Sequence, residues 1–206
     1  MAEDSQAAQE YETEVLSELD YVSRREIGRD AMWSLSSAKP GNGVDQLRDD
    51  SVETYWQSDG AQPHLINIQF HKKMTVVEVA FYLNYKLDES YTPKKLSIKA
   101  GSSFHDLVEV TSQDLDVPVG WVRVPLTAPT GGTVTATAAA DAAGGTEGSV
   151  LRAHFVQICI TAMHQNGRDT HIRQVKVFGP RLSSVQHDPA LVEYVSPEFE
   201  QFSCVR

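Results

Sequence analysis

The stretch "HLINIQF", residues 64–70, sets Leu65 and Asn67 against Ile66, Ile68 and Phe70. Apolar residues at every second position lie on one side of an extended chain, which is the pattern of a half-buried β-strand. Working outward, the same signature returns. In "TVVEVAFYLNY" (75–85) Val77, Val79, Phe81 and Leu83 share a face, and "KLSIKAG" (95–101), "WVRVPL" (121–126), "HFVQICITA" (154–162) and "RQVKVFG" (173–179) follow. Each run is short, rich in β-branched or aromatic residues, and bounded by Gly, Pro, Asp or Ser. No long helical period separates them, which argues against parallel βαβ winding. The expectation is an all-β fold, an antiparallel sandwich or jelly roll.

Three segments depart from this pattern. In residues 7–22, Ala8, Tyr11, Val15, Leu19 and Val22 recur at three- and four-residue steps, which predicts an amphipathic helix. Such a helix either lies on its own domain or recognises a partner. Residues 128–149, "APTGGTVTATAAADAAGGTEGS", hold no large aliphatic side chain except Val134. They bury too little to offset ordering entropy and read as a flexible insertion between two strands. The segment 181–206 has no clear period and reads as a flexible tail. The expected organisation is an acidic extension over 1–25, a jelly roll over 26–180, and that tail.

The chain has 206 residues, 41% of them hydrophobic, enough for one core. Its net charge of -10 is uneven: residues 1–26 hold eight acidic and two basic side chains. No basic run offers phosphate neutralisation, so nucleic acid is not expected as a partner. No stretch approaches the roughly 20 apolar residues of a membrane helix, and no signal-peptide pattern opens the sequence. Cys159 lies in a strand and Cys204 near the end, so no disulfide is expected and the compartment reads as reducing.

Catalytic motifs are absent. There is no phosphate-binding Gly-rich loop and no GxSxG elbow. Cys159 alternates with Ile158 and Ile160, the setting of a sheet residue rather than of a nucleophile. His164, Asp169 and His171 lack the tight spacing of zinc ligands. Asp49, Asp50, Glu53 and Asp59 lack the oxygen spacing of a calcium loop. Neither a metal nor another cofactor is expected. Tyr55 and Trp56 read as core plugs near a sheet edge.

Two loops carry recognition chemistry. In "HQNGRDTHIRQVKVF" (164–178), Asn166-Gly167 is a turn dipeptide, and Arg168, Asp169, Thr170 and His171 precede a strand. Asn, Arg, Asp and His supply the donors and acceptors that suit peptide backbone and polar side chains. In "NYKLDESYTPKK" (84–95), Asp88, Glu89, Ser90 and Tyr91 lie between two strands, and Tyr91 is an amphipathic ring of the kind that anchors ligands. Periodicity does not tell whether the two loops share one end of the sandwich.

Three blocks together, "WSLSSAKPGNGVDQLRDDSVETYWQSDGAQPHLINIQF" (33–70), "DESYTPKKLSIKAG" (88–101) and "HQNGRDTHIRQVKVF" (164–178), closely resemble the Doc-domain subunits of the anaphase-promoting complex, or cyclosome, a RING-type ubiquitin ligase. The resemblance covers roughly residues 26–180 apart from the insertion. It implies a galactose-binding-like jelly roll and a non-catalytic role. That role is co-receptor for the destruction box of substrates such as cyclins, beside a WD40-repeat coactivator, which raises the processivity of ubiquitination. It implies degron binding at Ser90, Tyr91, Asn166, Arg168, Asp169 and His171, and residence in nucleus and cytoplasm. In the family an Ile-Arg end docks on a TPR-repeat scaffold subunit. Here the end is Val205-Arg206, shorter by one methylene, worth about 1 kcal/mol. A Doc domain of a different cullin-type ligase and a carbohydrate-binding jelly roll are the competing readings.

Overall fold

The computed structural model describes residues 24–127 and 150–181. The helix expected over 7–22, the insertion 128–149, Cys204 and the Val205-Arg206 end lie outside the described residues.

Eleven strands are described, in the order β1 (Arg24–Glu26), β2 (Ala31–Leu35), β3 (Trp56–Gln57), β4 (His64–Val76), β5 (Glu78–Asn84), β6 (Pro93–Gly101), β7 (Val108–Asp114), β8 (Val119–Pro125), β9 (Leu151–Met163), β10 (His171–Ile172) and β11 (Gln174–Pro180). Two short helices interrupt them, α1 (Val44–Arg48) and α2 (Tyr85–Asp88). A five-stranded sheet runs β2-β4-β9-β6-β7 and a four-stranded sheet β1-β11-β5-β8, with β10 and β3 as a separate pair. Every pairing among these strands is antiparallel. The fold is the expected jelly-roll sandwich.

The alternation read from "HLINIQF" is the alternation observed. Ile66, Ile68 and Phe70 are buried, while Leu65 and Asn67 are half-buried. Register then stacks the core: Ile66 lies opposite Ile158 and Ile68 opposite Val156 in one sheet. In the other, Phe81 lies opposite Val175 and Val79 opposite Val177. Aliphatic rows from both inner faces meet in a single cluster that includes Trp56 and Leu83. Burying each such side chain contributes roughly 1.5–3 kcal/mol, enough to hold the register against a one-residue slip.

Two expectations need correction here. Val77 does not share the face of Val79, Phe81 and Leu83. It precedes β5 and packs with Ala80 and Phe178 in a separate outer cluster. Tyr55 is not a core plug. Only Trp56 is fully buried, its indole N–H donating to the Ser37 carbonyl at 2.9 Å. Tyr55, its neighbour in the chain, is half-buried and stacks on His171 at one end of the sandwich.

Candidate functional site

Both polar loops stand at one end of the sandwich. The loop after β5 contains α2 and a 3-10 turn, Glu89–Tyr91. The loop after β9 contains a second 3-10 turn, His164–Asn166. They are joined through backbone: the His164 N–H donates to the Thr92 carbonyl at 2.9 Å, and the Thr170 hydroxyl to the Tyr91 carbonyl at 3.3 Å.

The chain reversal differs from the expected Asn166-Gly167 turn. Gln165 (φ 51) and Asn166 (φ 57) take the left-handed conformation, while Gly167 has φ -55. Asn tolerates that region because its short side chain bonds locally. Gly167 serves proximity. A Cβ there would lie 1.8 Å from the Ser90 carbonyl oxygen, so only a residue without one lets the two loops touch. Glu89 (φ 43) adds a third strained residue to the pair. Backbone strain of this kind persists only where surrounding contacts hold it.

Those contacts centre on His171. Its ring stacks on Tyr91 (centroids 4.2 Å, 9°) and on Tyr55 (4.3 Å, 25°). One face cannot hold two stacked rings, so the imidazole lies between the tyrosines. His171 Nδ1 lies 3.2 Å from Asp88 Oδ1. An ionised carboxylate only accepts, so Nδ1 carries the hydrogen. Nε2 is buried and has no hydrogen-bond partner among the described residues.

Asp88 is in turn gripped by Arg173, with Nε to Oδ2 at 2.9 Å and Nη2 to Oδ1 at 2.9 Å, a bidentate pair. Arg173 also donates from Nη1 to the Val52 carbonyl at 2.8 Å and faces the Tyr55 ring at 5.5 Å. Burial pushes the Asp88 carboxyl up, but the hydrogen bonds from His171 and Arg173 and the Arg173 charge outweigh it, and its pKa lies below 3.8. The base of the site is therefore an ionic platform in which both Asp88 carboxylate oxygens are hydrogen-bonded. Beside it, Gln62 donates to the carbonyls of Gly167 (3.1 Å) and Arg168 (3.3 Å), and His64 Nε2 lies 2.8 Å from the Arg168 carbonyl.

The sequence-predicted residues fall into two groups. Tyr91, Asn166 and Arg168 are exposed, and Ser90 and Asp169 are half-buried, so their side chains reach solvent at this end. His171, 8% exposed, is a supporting ring beneath Tyr91. Sequence reasoning missed Tyr55, Arg173, Gln62 and His64, and passed over Asp88. Their signal is tertiary: Asp88 and Arg173 are 85 positions apart.

His164 is buried edge-on to Tyr85 at 4.9 Å, apart from the His171 stack. No group of three His, Cys, Asp or Glu poised for a metal exists among the described residues. Asp49 accepts from Thr54 (2.6 Å) and Gln174 (2.7 Å), and Asp50 pairs with Arg29 (3.4 Å) and with Lys176. That acidic stretch serves structure.

The family model described as "Anaphase-promoting complex, subunit 10" matches residues 2–204. The human protein named "Anaphase-promoting complex subunit 10" is 51% identical over 156 residues, covering 76% of this chain and 75% of its own. The Drosophila melanogaster protein of that name is 42% identical, covering 88% and 85%. The Schizosaccharomyces pombe protein is 40% identical, covering 84% of each. Among solved structures, the family 32 CBM from C. perfringens NanJ in complex with galactose superposes with a TM-score of 0.55 at 13% identity, covering 75% of this chain and 98% of that one. At that identity the likeness establishes the fold alone.

Proposed function

Because this chain belongs to the anaphase-promoting complex subunit 10 family, we propose that it serves that ubiquitin ligase as a non-catalytic co-receptor for the destruction box. The carrying observation is the joined pair of loops. Tyr91, Asn166 and Arg168 are exposed there, Ser90 and Asp169 are partly so, and the backbone beneath them is fixed by Gly167, Gln62 and the Asp88–Arg173 pair. A rigid rim bearing a donor fork, an amide, a carboxylate and a phenol suits a short extended peptide. His171 acts by holding Tyr91 in place.

One such rim binds a degron weakly. When a WD40 coactivator holds the rest of the motif, the second contact becomes intramolecular, with an effective concentration around millimolar for a short linker. Weak loops then suffice, and substrates such as cyclins are retained through successive ubiquitin transfers yet released quickly. Val205 and Arg206 offer a branched aliphatic side chain and a guanidinium to a TPR-repeat scaffold subunit. The protein works with the ligase in nucleus and cytoplasm.

The test is Asn166→Gly with Arg168→Ala in the reconstituted ligase. Both side chains are exposed and Gly keeps the left-handed backbone at position 166, so the fold is spared, whereas truncating His171 would collapse the ring stack. Shorter ubiquitin chains per encounter are expected on a destruction-box substrate, with no change on a substrate lacking the motif. Full processivity in the double variant would overturn the reading.

A further inference from the structure

Both ends of the jelly roll leave from one place: Arg24 of β1 pairs with Pro180 of β11. Two adjoining clefts of about 620 and 400 Å³ open there and share Arg25 and Arg181. Arg24, Arg29 and Lys176 also line the larger, and Lys72 and Lys73 the smaller. Carboxylates interleave with these cations. Arg24 meets Glu78, Arg25 meets Asp30 at 3.3 Å, and Arg29 reaches Glu26 at 3.8 Å. Asp50 serves both Arg29 and Lys176. Burial holds the Lys176 amine down to about 8, helped by the charge of Arg48 and Arg29. The smaller cleft also has apolar lining in Ile27, Met74 and Pro180.

The charge of the whole sequence divides along the same line. Residues 24–127 and 150–181 carry 17 Lys or Arg against 15 Asp or Glu. Residues 1–23 carry seven Asp or Glu and no Lys or Arg. A protein of net charge -10 therefore has a folded domain that is slightly cationic, and seven of its 17 cations line the clefts beside which the most acidic segment joins.

We infer that the paired basic clefts receive the acidic segment 1–23 of the same chain, its carboxylates meeting Arg25, Arg29, Lys72 and Lys73 and its apolar stripe covering Met74 and Pro180. Reach is not limiting. Asp20 is four residues from Arg24, roughly 14 Å of extended chain, and Glu10 is within roughly 50 Å. The tether replaces a bimolecular encounter with one at high effective concentration. Surface pairs gain little each, so the contact depends on several acting together and weakens with salt.

The test is zero-length carbodiimide coupling of the full chain, as a mixture of isotope-labelled and unlabelled protein, followed by peptide mass mapping. Amide links from Glu12, Glu14, Glu18 and Asp20 to Lys72 and Lys73 are expected, within single molecules. They should fall several-fold at about 1 M salt, where the Debye length is roughly 3 Å. The variant Glu10→Gln, Glu12→Gln, Glu14→Gln, Glu18→Gln should shift the NMR side-chain signals of Arg25 and Arg29 and leave those of Arg168 unmoved. Links spread evenly over Lys86, Lys94, Lys95 and Lys99, links between molecules, or unmoved Arg25 and Arg29 signals would each overturn the proposal.

Discussion

Gly167 and Lys176 show how much one residue can decide. At Gly167 the backbone conformation is open to any residue, yet a methyl group would collide with the Ser90 carbonyl. Gly167→Ala should therefore cost about 1–3 kcal/mol in chemical denaturation, as overpacking does. It should also speed amide exchange at Ser90 and Thr92, because the loops must part. Lys176 is 3% exposed and its amine is held near 8, below the ordinary 10.5. The unfolded chain then binds more protons than the folded one between those values, so stability rises with pH from about 8 to 10.5. Lys176→Met should flatten that rise in a series of denaturation curves.

At the scale of elements, the loop after β5 and the start of β11 are coupled through Asp88 and Arg173. Replacing Asp88 by Asn leaves a buried guanidinium without its counter-charge, and roughly 3–5 kcal/mol of stability should be lost at neutral pH. The depressed Asp88 pKa gives the sign in acid. Its contribution is fully present above 3.8 and disappears as pH falls through the lower folded value. Asp88→Asn should lack that acid limb when thermal melts are followed below pH 4. These elements were unequally legible in the sequence. The strands that contain Ile66, Val79, Leu96 and Val156 announce themselves by their β-branched and aromatic runs; β4 keeps a period of two with one face buried, whereas β5 is buried on both faces. Strand β7 is mostly exposed on both faces, and β3 and β10 have two residues each, so none carries a readable period. Loop composition pointed to Tyr91, Asn166 and Arg168. What joins those loops did not show, because it depends on crossovers that bring positions 88 and 173 together. Tyr55 was misread because Trp56 beside it is core, yet successive side chains of an extended segment point to opposite faces.

Across the whole molecule, Thr127 and Val150 form an isolated bridge at the two ends of the 128–149 segment. Those ends are already adjacent. Exchanging the 22-residue segment for a four-residue turn should therefore leave the fold intact and raise stability by roughly 1.5 kcal/mol, the loop-closure difference. The end bearing the two joined loops and the end where the jelly roll begins and finishes are separated along β11, which begins at Gln174 beside Arg173 and finishes at Pro180, roughly 20 Å away. The antiparallel match of Arg24 with Pro180 has a mechanical consequence. A pull applied through the two ends loads the hydrogen bonds of β1 one at a time, as a zipper is opened, instead of shearing them together. The three-residue β1 should peel away at low force, while the sheet that carries the two joined loops at the far end stays closed.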